Sequence, residues 1–272
     1  MPTQAEKAKT FRALHERDRA FIIPNPWDSG SARLLESLGF EALATTSAGF
    51  AFSIGKADGA VDRDTMLAHA AALVAATDLP ISADLENGYA DDPERVAETV
   101  RLAAEIGLAG CSIEDVPSGQ DRKPYDLSLA ADRVRAAAEV AHSLPFPFTL
   151  TARAENFIVG RPDLNDTIAR LQAFQRAGAD ALFAPGLKTR QDITAVVDSV
   201  DRPVNVIMGL EGAKFSLAEL SQMGVRRVSV GSALARAALT GFLHAAEEMR
   251  ERGTFTFADG IIKYAALNEQ FA

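Results

Sequence analysis

One joint between structural elements recurs four times along this chain of 272 residues, and it constrains the fold more than any other feature. In each copy a helical pattern ends at a glycine, and a short apolar run follows immediately. Glycine just past a helix takes the left-handed backbone that other residues resist. Short apolar runs of this kind are typical of buried parallel strands. The pattern therefore predicts an alternating β/α fold, with joints at residues 35–44, 103–112, 174–183 and 221–230.

Eight apolar runs separated by helical patterns predict eight strands, near residues 21–25, 41–46, 80–84, 110–114, 147–152, 180–184, 203–208 and 227–231. Eight strands that alternate with helices indicate an α/β fold of the (β/α)8 TIM-barrel type. An open, doubly wound sheet is the alternative, but no G-x-G-x-x-G or Walker loop follows any strand. We expect one barrel domain over residues 1–272. Extra C-terminal helices, at about 232–272, should pack on the barrel or on a neighbouring subunit.

Composition and charge narrow the classes of function. The chain has 47% apolar and 24% charged residues, an ordinary mixture for a soluble globular protein. Its formal net charge of −9, with no basic cluster, argues against nucleic acid or an anionic membrane as a partner. No apolar run approaches the roughly 20 residues needed to cross a bilayer. The single cysteine, Cys111, cannot form an internal disulfide; we interpret it as a small buried apolar residue and expect a cytoplasmic protein.

Polar side chains follow the predicted strands at the ends where a barrel builds its active site. Asp84 and Glu86 follow the third strand and share a face if that strand extends far enough. Glu114 and Asp115 end the fourth strand. Because clustered carboxylates repel one another and lose hydration, we expect a cation among them, and Mg²⁺ is the simplest candidate. Other polar residues at the same rim are Asn25, Asp28, Thr45, Thr46, Ser47, Arg153, Glu155, Asn156 and Asn205.

Residue types alone leave two interpretations of these charges open. Arg153 is suited to hold a substrate carboxylate by a two-pronged contact. Alternatively, the acids and Arg153 form an ion-pair network that closes the barrel mouth. The four histidines, His15, His69, His142 and His244, form no metal-spaced set, and we interpret them as surface or helix-end residues.

Five segments in a fixed order add a family resemblance: Thr46–Gly49, Gly55–Asp58, Ala83–Tyr89, Ser112–Asp115 and Thr151–Asn156. Together they resemble the isocitrate lyase/phosphoenolpyruvate mutase superfamily. The resemblance implies a (β/α)8 barrel that binds Mg²⁺, with Mn²⁺ as the alternative ion. It implies a small anionic 2-oxo or 2-hydroxy acid as substrate, cleaved at a C–C or P–C bond next to a pyruvate-like unit. It also implies a homo-oligomer, a tetramer built as a dimer of dimers with exchanged terminal helices.

The resemblance also implies roles for individual residues. Asp84 would bind the metal directly. Glu86 and Glu114 would lie in the outer coordination shell, and Asp58 would lie beside the water molecules around the metal. Arg153 would bind and polarise the substrate, so that the catalytic group is Arg153, Asp58 and Glu114. The remaining substrate-binding residues would be Ser47, Ala48 and Gly49, through backbone donors, and Asn205.

The segment after the fourth strand departs from the family pattern. Members that cleave isocitrate or methylisocitrate carry a Lys-Lys-Cys-Gly-His loop there, whereas residues 117–126 contain no cysteine. Cys111 lies inside the strand and cannot replace it. The Lys- and Asn-containing gating loop of the mutases and phosphonopyruvate hydrolases is not reproduced either. Segment 116–127 is interpreted as a lid, with an ordinary surface loop as the alternative, and Tyr89 and Tyr125 are candidate proton donors.

These features favour a Mg²⁺-dependent lyase or decarboxylase that cleaves a C–C bond in a small 2-oxo or 2-hydroxy dicarboxylate, through a metal-stabilised pyruvate-like enolate. One alternative is a P–C bond enzyme of the phosphonopyruvate hydrolase or phosphoenolpyruvate mutase type. The other is a non-catalytic barrel that binds a small acid.

Overall fold

A computed structural model describes residues 2–119, 122–209 and 211–272. Its eight strands form one sheet in the order β1-β8-β7-β6-β5-β4-β3-β2, and all paired neighbours are parallel. The strands are β1 (Phe21–Ile23), β2 (Leu43–Ala44), β3 (Ile81–Asp84), β4 (Gly110–Glu114), β5 (Thr149–Arg153), β6 (Ala181–Phe183), β7 (Val204–Ile207) and β8 (Arg227–Ser229).

The sheet curves round into a nearly closed barrel. Because β1 pairs with β8, the first and last strands are neighbours, and the open-sheet alternative is wrong. The remaining gap between β1 and β2 is bridged by the Ala44 N–H, which donates to the Pro24 carbonyl at 3.0 Å. Asn25 also crosses this seam: its amide donates to the Thr45 carbonyl and its oxygen accepts from the backbone N–H groups of Val230 and Gly231. The predicted (β/α)8 fold is confirmed.

Helices alternate with the strands and cover the outside of the barrel. They are α1 (Gln4–His15), α2 (Ser29–Ser37), α3 (Ser47–Ser53), α4 (Arg63–Ala76), α5 (Pro93–Glu105), α6 (Leu127–Ser143), α7 (Leu164–Arg176), α8 (Arg190–Asp198), α9 (Leu217–Gln222), α10 (Ala233–Arg252) and α11 (Tyr264–Phe271), with a 3₁₀ turn at Thr256–Gly260. No helix within the described residues is both long enough and apolar enough to span a bilayer.

Helix α1 closes the amino-terminal end of the barrel. Its Phe11 and Leu14 are fully buried in a small apolar cluster with Phe21, the first residue of β1. Gly110 at the start of β4 is required here, since a Cβ atom would lie 2.4 Å from the Thr149 carbonyl oxygen and 3.1 Å from the Phe11 ring. The barrel is therefore plugged at this end, and a ligand must approach from the opposite end.

The two C-terminal helices leave much apolar surface uncovered. Helix α11 contacts α2 of its own chain, where the Arg33 guanidinium lies 5.5 Å from the centre of the Phe271 ring and donates to the Phe271 carbonyl. Large apolar side chains on α10 and the following residues remain exposed, among them Phe242, Leu243, Phe255, Ile261 and Ile262. Packing against a neighbouring subunit stays a prediction.

Two of the histidines are not surface residues. His15, the last residue of α1, is buried against Phe11 and Phe21. His69, in the middle of α4, stacks on Phe50 with ring centres 3.7 Å apart and is 9% exposed. The sequence interpretation was wrong for His69 because helix α4 buries the side that faces the barrel, and this residue lies on that side together with Met66 and Leu73.

The buried His69 ring should make the protein sensitive to acid. Burial lowers the pKa of His69 to about 4. Between about pH 6.5 and pH 4 the unfolded chain binds a proton there that the folded chain does not, so the free energy of unfolding falls as the pH drops through this window. Between pH 7 and pH 4 we expect the free energy of unfolding to fall by about 2 kcal/mol less in His69→Phe than in the wild type. The phenylalanine ring keeps the stack on Phe50.

Urea titrations across this pH range provide the measurement. His244, exposed on α10, offers the matched control, and His244→Phe should follow the wild-type curve. Parallel curves for His69→Phe and the wild type would mean that the folded protein protonates His69 as readily as the unfolded chain.

Candidate active site

The carboxyl ends of the strands surround a cavity of about 560 Å³. It extends from the loops at the open end into the barrel interior. Five carboxylates and three guanidiniums line it: Asp58, Asp84, Glu86, Glu114, Glu155, Arg122, Arg153 and Arg227. The acids come from the ends of β3, β4 and β5 and from the loop before α4, as expected for a barrel that builds its site at this face.

Asp84 lies at the centre of the charged group, as the last residue of β3. One of its carboxylate oxygens accepts from the Ser47 backbone N–H at 3.2 Å and from the Ser47 hydroxyl at 2.9 Å. The other accepts from Arg153 Nη1 at 2.8 Å. These contacts fix the orientation of the carboxylate and leave it 20% exposed towards the cavity.

Arg153, the last residue of β5, binds three acids at once. Besides Asp84, its guanidinium contacts Glu155 Oε1 at 2.9 Å, and its Nη2 lies 3.1 Å from Glu114 Oε2. The guanidinium also lies 5.3 Å from the centre of the Phe183 ring, which covers one side of it. Arg153 is thus held in place by three carboxylates. The described side chains form the ion-pair network that the sequence left open as one of two interpretations.

Glu86 reaches the cavity by a route that strand alternation did not predict. Strand β3 ends at Asp84, so the two acids do not share a face of a strand. Instead Glu86 has a φ of 49°, and Tyr89 in the same turn has a φ of 59°. Such left-handed backbone costs a non-glycine residue about 1–2 kcal/mol. The surrounding structure holds it, since the Glu86 carbonyl accepts from the Glu114 backbone N–H at 2.8 Å.

Few neighbouring groups stabilise a negative charge on the Glu86 carboxyl. Its Oε1 atom is buried and has no hydrogen-bond partner among the described residues. Burial, together with the charges of Asp84 and Asp58, raises the pKa of Glu86 to about 7. A cation placed among these three acids would favour the charged form of Glu86.

Glu114, at the end of β4, lies between two guanidiniums. Arg122 from the segment after β4 donates to Glu114 Oε1, and Arg153 lies beside Oε2. Burial raises the pKa of Glu114, and the two guanidiniums oppose that shift. Ser118, Gly119 and Arg122 line the cavity, so this segment covers part of its opening. Residues 120 and 121 of the expected lid lie outside the described part of the chain.

The other predicted site residues are placed as follows. Ser47, Ala48 and Gly49 form the start of α3, but the Ser47 N–H donates to Asp84 and the Gly49 N–H donates to the Thr46 hydroxyl. Ser47 lines the cavity, whereas Ala48 and Gly49 do not. Asp58 lies on an exposed loop at the cavity rim, and Asn205 is buried deep in the barrel.

Neither tyrosine considered as a proton donor is among the residues that line the cavity. The Tyr125 hydroxyl donates to Asp91 and accepts from the Asn87 amide at 3.1 Å. The Tyr89 hydroxyl is buried without a partner among the described residues.

Arg133 on α6 fixes the turns that carry the acids, and sequence reasoning missed it. It is 1% exposed and donates to the backbone carbonyls of Glu114, Asn87 and Ala90, while its guanidinium stacks on the Tyr125 ring at 4.3 Å. One side chain therefore ties the turn after β3 to the end of β4. The sequence gives only a weak signal for Arg133, an arginine on the side of an amphipathic helix that is otherwise apolar.

We expect Arg133→Met to lower the free energy of unfolding by about 2–3 kcal/mol, because it leaves buried carbonyl oxygens without donors. Urea denaturation measures this loss. Arg135→Met is the matched control on the same helix, since Arg135 is about half exposed and pairs with the equally exposed Asp132. Equal stabilities of the two variants would contradict the role given to Arg133.

A comparison with known proteins decides the family. The model of the phosphoenolpyruvate phosphomutase family matches residues 11–250. The chain belongs to the phosphoenolpyruvate phosphomutase family. The superfamily predicted from the five sequence segments is thereby confirmed.

Several known proteins are similar to this member of the phosphoenolpyruvate phosphomutase family over most of their length. The crystal structure of a candidate lyase/mutase from Burkholderia cenocepacia is 59% identical, with a TM-score of 0.97 over 99% of this chain and 96% of that one. An uncharacterized protein from Mycobacterium tuberculosis is 33% identical over 89% of both chains. An oxaloacetate decarboxylase from Paraburkholderia xenovorans is 31% identical, over 83% of this chain and 75% of that one.

Cys111 has no part in the site of this family member. It is fully buried within β4, and burial raises the pKa of its thiol. No cysteine is found among the described residues that line the cavity. This agrees with its interpretation as a small apolar residue.

Proposed function

We propose that this protein is a Mg²⁺-dependent lyase or decarboxylase that cleaves a C–C bond in a small 2-oxo or 2-hydroxy dicarboxylate. The observation that carries the proposal is that Asp84 and Glu114, both bound to Arg153, line one cavity together with Glu86. A relative named oxaloacetate decarboxylase favours C–C cleavage within the family. The absence of a cysteine from the described cavity lining argues against a reaction that needs one as an acid.

The donor set fits Mg²⁺. Asp58, Asp84, Glu86 and Glu114 offer hard carboxylate oxygens, and Glu86 Oε1 is a buried acceptor without a donor among the described residues. No three acid, histidine or cysteine side chains in the described chain converge to enclose an ion by themselves. Mg²⁺ usually takes one or two carboxylates and keeps several waters, so a tight cage is not needed. We propose Asp84 as the direct ligand, with Glu86 and Glu114 in outer positions; Mn²⁺ is the alternative ion.

The chain's own residues account for the rest of the chemistry. When bound, the ion would supply positive charge that polarises the substrate carbonyl. Arg153 would place a second positive charge beside the substrate oxygen on which negative charge develops as the C–C bond breaks. Its three carboxylate partners hold it in that position. The segment that carries Ser118 and Arg122 would cover the substrate and exclude water, acting as a lid.

The test is product analysis with oxaloacetate, with Mg²⁺ and after its removal by a chelator. We expect Mg²⁺-dependent release of pyruvate and CO₂, well above the background of an Asp84→Asn variant measured at the same Mg²⁺ concentration. Nuclear magnetic resonance distinguishes these products from oxalate and acetate, which hydrolysis would give. Faster conversion of phosphonopyruvate to pyruvate and phosphate would favour the P–C alternative. Tight binding of oxo acids without any turnover would indicate a binding barrel and contradict the proposal.

We also propose that the protein assembles as a homotetramer, a dimer of dimers. The exposed apolar side chains of α10 and the residues after it support this assembly, because patches of this kind mark interaction surfaces. Light scattering coupled to size exclusion should give four times the chain mass of 29.0 kDa. A monomeric mass at micromolar concentration would contradict it.

A further inference from the structure

Arg227 is a buried cation in the floor of the cavity that the proposed chemistry does not use. It begins β8, it is 5% exposed, and it lines the same cavity as Asp84 and Arg153. No carboxylate within the described residues forms an ion pair with it. A buried guanidinium without a counter-charge is costly, and proteins seldom keep one.

The register of the sheet places Arg227 on the inner face of the barrel. Glu114 pairs with Arg153, Arg153 with Phe183, Phe183 with Asn205, and Asn205 with Arg227. Residues paired in this way on neighbouring parallel strands point to the same side of the sheet. Arg227 is therefore in the same interior row as Arg153, three strands further round.

The groups that hold Arg227 are neutral. Its Nε donates to the Asn205 side-chain oxygen at 2.9 Å, and its Nη1 lies 3.4 Å from His15 Nε2. The His15 ring is uncharged, since burial and the Arg227 charge lower its pKa to about 3. These contacts orient the guanidinium but leave its charge uncompensated, and they leave Nη2 without a protein acceptor in the described chain. Burial and the charge of Arg153 lower the pKa of Arg227 to about 9, so it remains a cation at neutral pH.

The cavity is divided into two halves of different character. The acids lie towards β3, β4 and β5, whereas the wall from β7 and β8 presents Asn205, Ile207, Arg227 and Ser229, none of which is acidic. The Ser229 hydroxyl and the Asn205 amide, 3.0 Å apart, lie beside this cation and can donate to an anion. Thr151, two residues before Arg153 on the inner face of β5, has a buried hydroxyl without a partner among the described residues.

We infer that Arg227 binds the distal carboxylate of a dicarboxylate substrate, whose reacting 2-oxo end lies at Asp84 and Arg153. This inference rests on the proposed function for the reacting end and adds the orientation of the substrate and the residue that selects it. A carboxylate matches the fork of a guanidinium and would supply the missing counter-charge. The volume of the cavity, about 560 Å³, leaves room for an acid that extends from the mouth to the floor.

Binding measurements with two kinds of probe test the inference. Oxalate, in the presence of Mg²⁺, reports on the reacting end alone. In the saturated series malonate, succinate, glutarate and adipate, the second carboxylate lies at an increasing distance from the first. For Arg227→Met we expect the affinity for the preferred longer dicarboxylate to fall by at least about 30-fold, because a buried charge pair loses one partner. The affinity for oxalate should change by less than about threefold.

Arg226→Met is the matched control. Arg226 directly precedes β8, is not among the residues that line the cavity, and donates to the Gly224 carbonyl. This variant should bind every probe as the wild type does. If 2-oxo dicarboxylates are turned over, Arg227→Met should raise KM far more than it lowers kcat, because the lost contact is remote from the breaking bond.

A second variant keeps the inference testable if Arg227→Met does not fold. Asn205→Asp places a carboxylate of almost the same shape beside Arg227 and so supplies an internal counter-charge. We expect it to raise the melting temperature without ligand and to weaken the longer dicarboxylates at least about tenfold, since the cation is already paired. With a purely structural Arg227, the added carboxylate would weaken oxalate and the longer dicarboxylates by similar factors, and that result would overturn the inference.

The outcomes separate this inference from the proposed function. Stabilisation of the wild type by glutarate or adipate that disappears in Arg227→Met supports the anion site even if no oxo acid is cleaved. Turnover of oxaloacetate with equal affinities of wild type and Arg227→Met for every longer dicarboxylate overturns the inference and leaves the lyase intact. Equal losses for oxalate and for the longer acids would also overturn it, since they would indicate a general effect on the barrel.

Discussion

Replacing Asp84 by asparagine should lower kcat/KM for Mg²⁺-dependent cleavage of oxaloacetate by about a thousandfold. Asparagine has one acceptor oxygen where aspartate has two, so it can accept from Ser47 or from Arg153 but not from both. Its shape is nearly that of aspartate, and the fold around β3 should survive. What it removes is the negative charge proposed to bind the ion directly. The affinity for Mg²⁺, measured by calorimetry, should fall together with the activity.

Asp64 provides the control for this prediction. It is an exposed aspartate in the first turn of α4, with a side chain 86% accessible. Asp64→Asn removes the same charge from the chain without touching the cavity, and it should keep wild-type kinetics. Wild-type Mg²⁺ affinity in Asp84→Asn would refute the role of Asp84 as the direct ligand.

Replacing Arg153 by methionine should have the largest effect on stability. The substitution leaves Asp84, Glu114 and Glu155 facing one another without their shared cation. Removing one partner from a buried ion pair typically costs about 3–5 kcal/mol, because the remaining charge is left uncompensated. We expect a loss of this size in the free energy of unfolding, measured by urea denaturation without divalent ions.

Mg²⁺ should restore part of that loss. An ion that binds the folded state among these carboxylates replaces some of the missing positive charge, so Mg²⁺ should stabilise Arg153→Met more than it stabilises the wild type. Activity should stay low, since the second positive charge beside the substrate is gone. A variant as stable as the wild type without Mg²⁺ would contradict the ion-pair network described here.

Much of the fold could be predicted because its signals are local. Gly39, Gly107, Gly178 and Gly224 each follow a helix and have positive φ, as the repeated joint requires. The apolar run after each glycine then marks a strand. Strand ends were less well predicted in places, since β2, expected near residues 41–46, has only two residues. The predicted end of β3 at residue 84 agrees with the structure.

The site was predicted in part. Asp84, Glu114 and Arg153 end three adjacent strands, so topology alone brings them together. Glu86 joins them only because the turn after β3 adopts left-handed backbone at a non-glycine residue, which no pattern in the sequence signals. Roles assigned to Ala48 and Gly49 depended on free N–H groups, and the Gly49 N–H is already bonded to Thr46.

Arg122 and Arg227 were missed for different reasons. Arg122 lies in a loop, where spacing does not predict direction, and its contact with Glu114 is tertiary. Arg226 and Arg227 are adjacent, and strand alternation says only that one of them points inward. The pairing of Asn205 with Arg227 decides which one does.

The most direct test of the account is a crystal structure grown with Mg²⁺ and oxalate, which mimics the planar reacting end of a 2-oxo acid. We predict an ion bound to an oxygen of Asp84, with oxalate beside Arg153. Glu86 and Glu114 should face the water molecules that the ion keeps. A structure at saturating Mg²⁺ in which Asp84 contacts Ser47 and Arg153 but no ion, and in which no ion lies near Asp58, Glu86 or Glu114, would contradict the proposed metal site.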